Sequence, residues 1–551
     1  MTIRSEISEG IRLAVLRAEQ SGDLPEGLSW PHIVADKPAD SSNGDFSVNV
    51  ALKMAKSAEM NPVELAQTIV KHLDKYSFSN EIWVAPPGFI NVSIDGRWLS
   101  DQVGDILAQG ESFGEASYGT GIKIQLEYVS VNPTGPLHVG HARGAVVGSA
   151  LALALKAGGY EVTQEYYLND AGNQIRLFSE SVYAAYLRAG GDVAAAGPEG
   201  GYTGEYIDTI GISIFNEVGR NLGVPDSQAL FDIGSRAATK VIELIRNDLE
   251  ACRVGFDVWF SEQSLFDEGQ YERVIAELSG KGYLKEEEGA LWFASVLLGE
   301  DKDNVVVRSS GTPTYFATDI AYHFDKFANR SFDRVINIWG ADHQGHISRL
   351  KAAMTALGID ASKLHVLITQ MVTLKSGRMS KRAGDLITMR QLVDTIGADA
   401  CRYFFLSRSL DSHLDFDLDL ATTQSAENPV YYIQYAHARI SSILNSVDES
   451  KYHEIDLDLS RLVHDAEQNL IKELIQLPDV VLKVCETLEP HHLTQYASQL
   501  AAQFHWFYGQ CRVILDSDDE LSLARIELCR ATQIVLRKYL SLMAIGAPEH
   551  M

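Results

Sequence analysis

Two short segments of the chain carry side chains suited to polyphosphate chemistry. The first, Asn132-Pro133-Thr134-Gly135-Pro136-Leu137-His138-Val139-Gly140-His141, sets two imidazoles around a glycine directly after a turn-forming stretch. If a strand ends there and a helix begins, backbone N–H groups and the positive end of the helix dipole face a bound anion. Gly140 has no side chain, so a flat base could approach the backbone, while His138 and His141 could donate to phosphate oxygens as charge grows during displacement. Taken alone, the pair also fits a helix cap or a metal, although helical zinc ligands stand four apart and a third should be recognisable.

The second segment is Lys375-Ser376-Gly377-Arg378-Met379-Ser380-Lys381-Arg382-Ala383-Gly384, with four cations within eight residues of a chain whose net charge is −27. Alone it reads as a solvated basic turn. Opposite the first segment, it could close over pyrophosphate, with Lys381 neutralising the leaving group. No Gly-x-x-x-x-Gly-Lys-Ser/Thr loop competes for a nucleotide. A further group of residues suits a planar cation: Tyr315 and Asp319 share a face if they lie on a helix, and Glu127 sits near the end of the strand before the histidine loop. Singly, each reads as a helix-start charge or a sheet-edge residue.

The elements that must hold these groups are legible in outline. Lys123 to Val129 reads as a strand, Gly140 to Lys156 as a helix ended by Gly158-Gly159, and Val162 to Leu168 as a strand, which together open a parallel βαβ sheet. Arg334 to Trp339 and His365 to Thr373 supply its other half. Between the halves lies a large insertion, with six glycines from Gly190 to Gly204, helices around Asp226 to Val254 and a hairpin pattern near Leu284 to Val296. Before the sheet, a helix opening at Asn61-Pro62 and a strand at Phe89 to Val92 indicate a small α+β unit, closed by a glycine-rich boundary from Gly110 to Gly121. From Asn428 onward, with Pro429 at a helix start, the pattern is helical. The expected domains are therefore 1–112, 113–424 with an insertion at about 180–300, and 425–551.

Composition agrees. A chain of 551 residues with 46% hydrophobic content can bury several cores. The first residues mix Arg4, Glu6, Glu9, Arg12 and Arg17 with apolar positions, unlike a signal peptide, and no apolar run approaches the length of a membrane span. Five cysteines without a Cys-x-x-Cys pair suit reduced thiols in a cytoplasm and offer no zinc site. The acidic balance excludes a general nucleic-acid coat and gives no reason to expect DNA as a partner, so any RNA surface must be local.

The paired segments resemble the HIGH and KMSKS signatures of class I aminoacyl-tRNA synthetases, here His-Val-Gly-His and Arg-Met-Ser-Lys-Arg. Trp339-Gly340-Ala341-Asp342-His343-Gln344 resembles that family's ribose-binding turn. Over nearly the whole chain the similarity is to the arginyl group of the family. It is carried by Gly44-Asp45-Phe46-Ser47, Tyr202-Thr203-Gly204-Glu205-Tyr206, Gly311-Thr312-Pro313-Thr314-Tyr315-Phe316, Gly397-Ala398-Asp399-Ala400-Cys401-Arg402-Tyr403 and, most specifically, Asn428 to Arg439.

The resemblance implies a Rossmann-like parallel-sheet catalytic domain with an insertion, a small α+β N-terminal domain gripping the tRNA elbow, and an all-α anticodon-binding bundle. It implies catalysis by His138, Gly140, His141, Ser380 and Lys381. ATP would bind with Mg2+ at Asn132, Pro133, Thr134, Gly135, Leu137, Val139, Gly340, Asp342, Arg378 and Met379. Arginine would lie among Glu127, Asn132, Tyr315, Asp319 and His343, and tRNA would touch Tyr431, Tyr435 and Arg439. Arg378 keeps the charge of the usual lysine but not its geometry. In the C-terminal helix, Val430, Ile433, His437, Ile440 and Leu444 fall at core spacing, so which aromatics face RNA stays open. The implied partners are L-arginine, ATP and arginine tRNA, with transfer to the 2′-OH of its terminal ribose, activation dependent on bound tRNA, and a monomer in the cytoplasm. Another class I synthetase (cysteinyl or glutamyl), a small nucleotidyltransferase and a silent tRNA-binding protein are the alternatives that charging assays separate.

Overall fold

A computed structural model describes residues 2–170, 173–221, 227–375 and 387–551. At its centre stand five parallel strands, β1 (Lys123–Glu127), β2 (Glu161–Leu168), β3 (Val258–Ser261), β4 (Arg334–Gly340) and β5 (Leu364–Thr369), in the spatial order β5-β4-β1-β2-β3. The chain runs outward in one direction from β1 and in the other from β4. The switch point where α/β sheets bind ligands therefore lies between the carboxyl ends of β1 and β4.

Alternation along the strands divides two cores. Ile124 and Leu126 of β1, with Ile336 and Ile338 of β4, pack on the side of helix α1 (Val139–Ala157). Val335 and Tyr167 face the other side, with helices α2 (Tyr315–Phe324) and α3 (Ile347–Ala356). Helix α1 is buried nearly all round, which explains why its sequence, rich in Ala, Val and Gly, shows no polar face. The α1-side core runs on without a break into the N-terminal unit and the C-terminal bundle.

The N-terminal unit is a four-stranded antiparallel sheet, Ala35–Asp36, Phe46–Val48, Phe89–Ile94 and Ser79–Ala85 in spatial order, with the helix Pro62–Lys71 capped by the Asn61 side chain. The C-terminal bundle opens with α4 (Pro429–Asn445), where Asn428 caps Val430, and continues through α5 (Asp465–Leu474), α6 (Leu477–Thr487), α7 (His491–Gln510) and α8 (Asp519–Leu542). Among the described residues no helix is long and apolar enough to cross a membrane.

Two readings of the sequence need correction. The expected strand His365 to Thr373 is two strands: β5 ends at Thr369, and Val372–Lys375 leaves the central sheet to pair in parallel with Leu414–Asp417. The stretch expected as an insertion is interrupted by β3, the edge strand of the central sheet. The helices Asn173–Ala189, Glu205–Val218 and Ser227–Ala251 precede it, and the antiparallel strands Leu284–Glu287, Ala290–Phe293 and Asn304–Val307 follow it. Its four residues, Val-Trp-Phe-Ser, are too few to show a period.

Candidate active site

The histidine loop bridges β1 and α1, at the switch point. Its first turn is strained, because Val129 and Ser130 have φ of 69° and 44°. Neighbouring β2 holds it: the Tyr166 hydroxyl donates to the Val131 carbonyl at 2.9 Å, and the Tyr167 N–H donates to Ser130 Oγ at 3.1 Å. Further on, the Tyr206 hydroxyl donates to the Thr134 carbonyl at 3.0 Å, so the Tyr202–Tyr206 segment closes over the loop. The Asn132 amide donates to Gln174.

His138 is the N-cap of α1. Its Nδ1 accepts from Gly140 N–H at 3.0 Å, and His141 Nδ1 faces the His138 N–H at 3.4 Å, forming a capping box of two histidines whose rings stack 3.5 Å apart. A Cβ on Gly140 would lie 2.9 Å from His138 Cε1, so the glycine makes room for the folded-over imidazole. Burial lowers the pKa of His138, and burial with the neighbouring His138 takes His141 down to about 3. Both rings are therefore neutral at ordinary pH. Because Nδ1 accepts in each, the proton resides on Nε2, and each ring offers a neutral N–H donor beside the helix N-terminus.

Arg378, Met379, Ser380 and Lys381 lie outside the described residues, but both ends of their segment are fixed. Val139 N–H donates to the Ile387 carbonyl at 3.0 Å, Met389 N–H donates to the Leu137 carbonyl at 2.8 Å, and His138 bridges Thr388. The chain just after the basic segment thus pairs directly with the histidine tetrad. Its outgoing end is fixed through Arg143, a fully buried α1 residue whose guanidinium donates to the carbonyls of Ser412 and Ser409, each at 2.7 Å, and of Gln370 at 3.2 Å. Nothing in the sequence pattern marks Arg143, since its three acceptors are backbone atoms hundreds of residues away.

At the carboxyl end of β4, Gly340 leads into a short 3-10 helix. Asp342 is largely exposed with His343 3.4 Å away, and a Cβ on Gly340 would meet the Asp342 carboxylate at 2.5 Å. Next to this turn, α2 starts after Thr314 with Tyr315 half-exposed and Asp319 on the same face. Glu127 and Asp319 are joined by a third carboxylate, Glu262, just past β3 and 4% exposed. All three raise the pKa of the buried Tyr167 phenol, which places them around one ring. Burial, then Glu127 and Glu262, push the Asp319 carboxyl up to about 7, against the pull of Lys326 and Arg349. Glu262 escapes the sequence reading because it is one glutamate among many in a segment with no motif. Two cations already act on this group, Lys326 and Arg349, and a guanidinium would add a further one in bidentate geometry. Glu127 is already partly engaged: its Oε2 accepts from the ammonium of buried Lys326 at 2.6 Å.

In the C-terminal bundle, Tyr431 and Tyr435 stack with centroids 6.1 Å apart, and Arg439 lies over the rings of Tyr435 and of Tyr508 on α7 at 4.7 and 4.9 Å. Tyr435, Arg439 and Tyr508 line a cavity of about 440 Å³ with His550 and Met551. Val430, Ile433, His437 and Ile440 are buried and Leu444 is partly buried against the same core, so the polar-aromatic face is left for this cavity. Tyr508 has no motif of its own. Among the described residues one group with metal-ligand geometry, Glu489, His491 and His492, shares no residue with the sites above, and His492 already contacts Glu489 and Gln495.

A parallel sheet with a histidine-capped helix at its switch point, in a chain that also carries the Arg-Met-Ser-Lys-Arg segment, is the arrangement of a class I aminoacyl-tRNA synthetase. The family model described as "tRNA synthetases class I (R), catalytic domain" matches residues 102–199 and 213–404, flanked by "Arginyl tRNA synthetase N terminal domain" at 2–94 and "DALR anticodon binding domain" at 433–551. The chain belongs to the arginyl-tRNA synthetase family. It is 47% identical over 556 residues to the arginine–tRNA ligase of Dehalococcoides mccartyi and 44% identical over 556 residues to that of Bacillus subtilis, covering 100% of this chain and 99% of each relative. In fold it is similar to the Thermus thermophilus arginyl-tRNA synthetase, with a TM-score of 0.79 at 21% identity over all of both chains.

Proposed function

We propose that this chain is an arginine–tRNA ligase: it activates L-arginine with ATP to arginyl-adenylate and transfers the arginyl group to the 3′-terminal ribose of arginine tRNA, releasing AMP and pyrophosphate. The observation that carries this reading is the juxtaposition at one switch point of a helix start bearing two neutral imidazole donors and a cluster of three carboxylates, Glu127, Asp319 and Glu262. His138 and His141, with Gly140, Val139 and the loop from Asn132 to Leu137, receive the triphosphate and adenosine. Gly340 and Asp342 take the ribose, and the basic segment carrying Arg378, Met379, Ser380 and Lys381 covers the leaving pyrophosphate, with Mg2+ sharing the phosphate charge. Tyr315 and Asp319, with Glu127, hold the guanidinium, while Asn132 and His343 face the amino-acid end. The protein works by positioning and charge stabilisation, each preorganised donor contributing roughly 3 kcal/mol in the transition state.

The N-terminal unit, residues 1–112, grips the tRNA elbow, and the bundle from 425 holds the anticodon, where Tyr431, Tyr435 and Arg439 offer stacking surfaces worth about 1–3 kcal/mol per base. The protein acts as a monomer in the cytoplasm. The test is arginine-dependent ATP–pyrophosphate exchange with and without arginine tRNA, together with tRNA charging. Exchange that appears with the tRNA and with arginine alone among amino acids supports the reading; silence in every condition refutes it.

A further inference from the structure

Beneath the carboxylates runs a layer of buried charge that the chemistry above does not use. Three neighbouring strands set polar residues in one cross-strand row: Asn337 of β4 registers with Glu127 of β1, and Glu127 with Glu165 of β2. Such a row is unexpected in a parallel sheet covered on both faces. Opposite it, α2 ends in a π-helical turn, Asp325–Asn329, which turns Lys326 inward. Lys326 is fully buried. Its Nζ lies 2.6 Å from Glu127 Oε2, 3.2 Å from Asn337 Oδ1 and 4.0 Å from the centre of the Tyr322 ring. The Asn337 amide donates to His323 Nε2 at 2.7 Å, and the ring's other nitrogen donates to the Asp319 carbonyl at 2.7 Å. Glu165 has its own partner, since Arg330 donates to both its oxygens at 2.5 and 2.9 Å. Of the two carboxylates acting on Lys326, Glu127 is the one it contacts directly, and the same network reaches the backbone of Asp319.

A buried lysine is costly unless its charge is matched, and here the match is a residue of the candidate pocket. The groups acting on Asp319 are Glu127 from β1, Glu262 from beyond β3, Tyr167 from β2, His323 from α2, Lys326 from the π turn and Arg349 from α3. With no substrate present, burial raises the pKa of the Asp319 and Glu262 carboxyls, which favours their protonation and so weakens the charge that attracts a guanidinium. An ammonium fixed behind Glu127 opposes that protonation without occupying the pocket.

We propose that Lys326 is a positioning residue for amino-acid recognition, an internal counter-ion that orients Glu127 and favours the ionised form of Asp319 between turnovers. The proposal rests on Glu127 and Asp319 being the guanidinium partners. The downward pull of Lys326 on the Asp319 carboxyl, which otherwise rises through burial, agrees with it.

The test uses the full chain with arginine tRNA and measures the KM for arginine, the KM for ATP and kcat from about pH 6 to 9 for the wild type, Lys326→Met, Glu127→Gln and the double variant. Lys326→Met is expected to raise the arginine KM roughly tenfold near pH 7 and to move its acid limb up by about one pH unit, so that the defect shrinks toward pH 9. The KM for ATP and kcat should stay within about twofold, which a general loss of structure would not spare. An unchanged acid limb, or a lower arginine KM, overturns the proposal, the latter because Lys326 would then be competing with substrate. If Lys326→Met does not fold, the double variant, which removes both charges together, decides. Its acid limb is expected to lie about one unit above that of Glu127→Gln, because in Glu127→Gln Lys326 still favours ionised Asp319; coincident limbs overturn the proposal. A Glu127→Gln enzyme with wild-type arginine KM refutes Glu127 as a substrate ligand, a result distinct from the acid limb of Lys326→Met.

Discussion

The two histidines act as neutral groups held in one tautomer by the helix they cap, and this makes Gly140 a structural requirement of the site. In Gly140→Ala the new methyl meets the His138 ring at 2.9 Å, and the ring must leave the cap. We expect kcat/KM for ATP to fall by about 10- to 100-fold, with the arginine KM little changed, as measured by pyrophosphate exchange. Asp319 gives a second prediction, with a sign that differs between activity and stability. Its carboxyl is raised to about 7 by burial and by Glu127 and Glu262, so the ionised form proposed to pair with a guanidinium is lost as pH falls through that value, and the arginine KM should rise there. Folding instead favours the protonated form, so Asp319 weakens the fold above the ordinary aspartate pKa and most of all above pH 7. Asp319→Asn should therefore raise the arginine KM and flatten its pH dependence, yet raise the Tm at pH 8 and leave it nearly unchanged at pH 4. At this scale the sequence reveals residues whose chemistry lies in a short motif, such as His138 and His141. It hides Arg143, Glu262 and Lys326, whose partners come from remote strands and backbone carbonyls.

Elements decide whether the basic segment reaches the histidines. Its return is an antiparallel contact at Ile387 to Met389 on the tetrad itself, and its departure is the strand Val372–Lys375, steadied by the three carbonyl contacts of Arg143. Arg143→Met keeps the length and apolar stem but leaves those carbonyls without the guanidinium. A loss of about 3 kcal/mol is expected in urea unfolding, together with a several-fold rise in the KM for ATP and little change in the KM for arginine. Wild-type ATP kinetics in a destabilised variant would show that Arg143 serves packing alone. Helix α1 and strands β1, β2 and β4 were legible because long periodic runs and cap residues mark them. The split of the predicted strand at Gln370-Met371 was not, because β propensity runs on through Val372 to Lys375 while the partner, Leu414–Asp417, lies far along the chain. The short edge strand β3 was hidden by its length, amid helices that dominate the pattern.

Across the whole molecule, substrate chemistry and RNA binding are joined through a continuous core and one polar junction. Arg402, fully buried, donates to the carbonyls of Met543, Cys252 and Arg253 and to Ser149 on α1, while Asp399 pairs with Arg253 and accepts from Gln434 at 2.8 Å and Gly546 N–H at 3.0 Å. These contacts tie helix α1 to the first and last helices of the C-terminal bundle. The sequence marks Asp399 and Arg402 only as part of a family-like block, because their role depends on segments up to the chain's end. Asp399 stands at the edge of the junction and touches none of the pocket residues, so it separates bundle placement from catalysis. Asp399→Ala removes the carboxylate shared by Arg253, Gln434 and the Gly546 N–H, leaving Arg253 the Ala544 carbonyl and Gln434 the Gly546 carbonyl, and each lost contact to the charged carboxylate is worth about 1–2 kcal/mol at this partly exposed position. The bundle should then sit less firmly against α1. We expect the KM for tRNA in charging to rise severalfold while the KM values for ATP and arginine, read in pyrophosphate exchange at saturating tRNA, stay within about twofold. Equal losses in all three would instead place Asp399 in the general stability of the catalytic domain, and an unchanged tRNA KM would mean that the apolar core alone fixes the bundle.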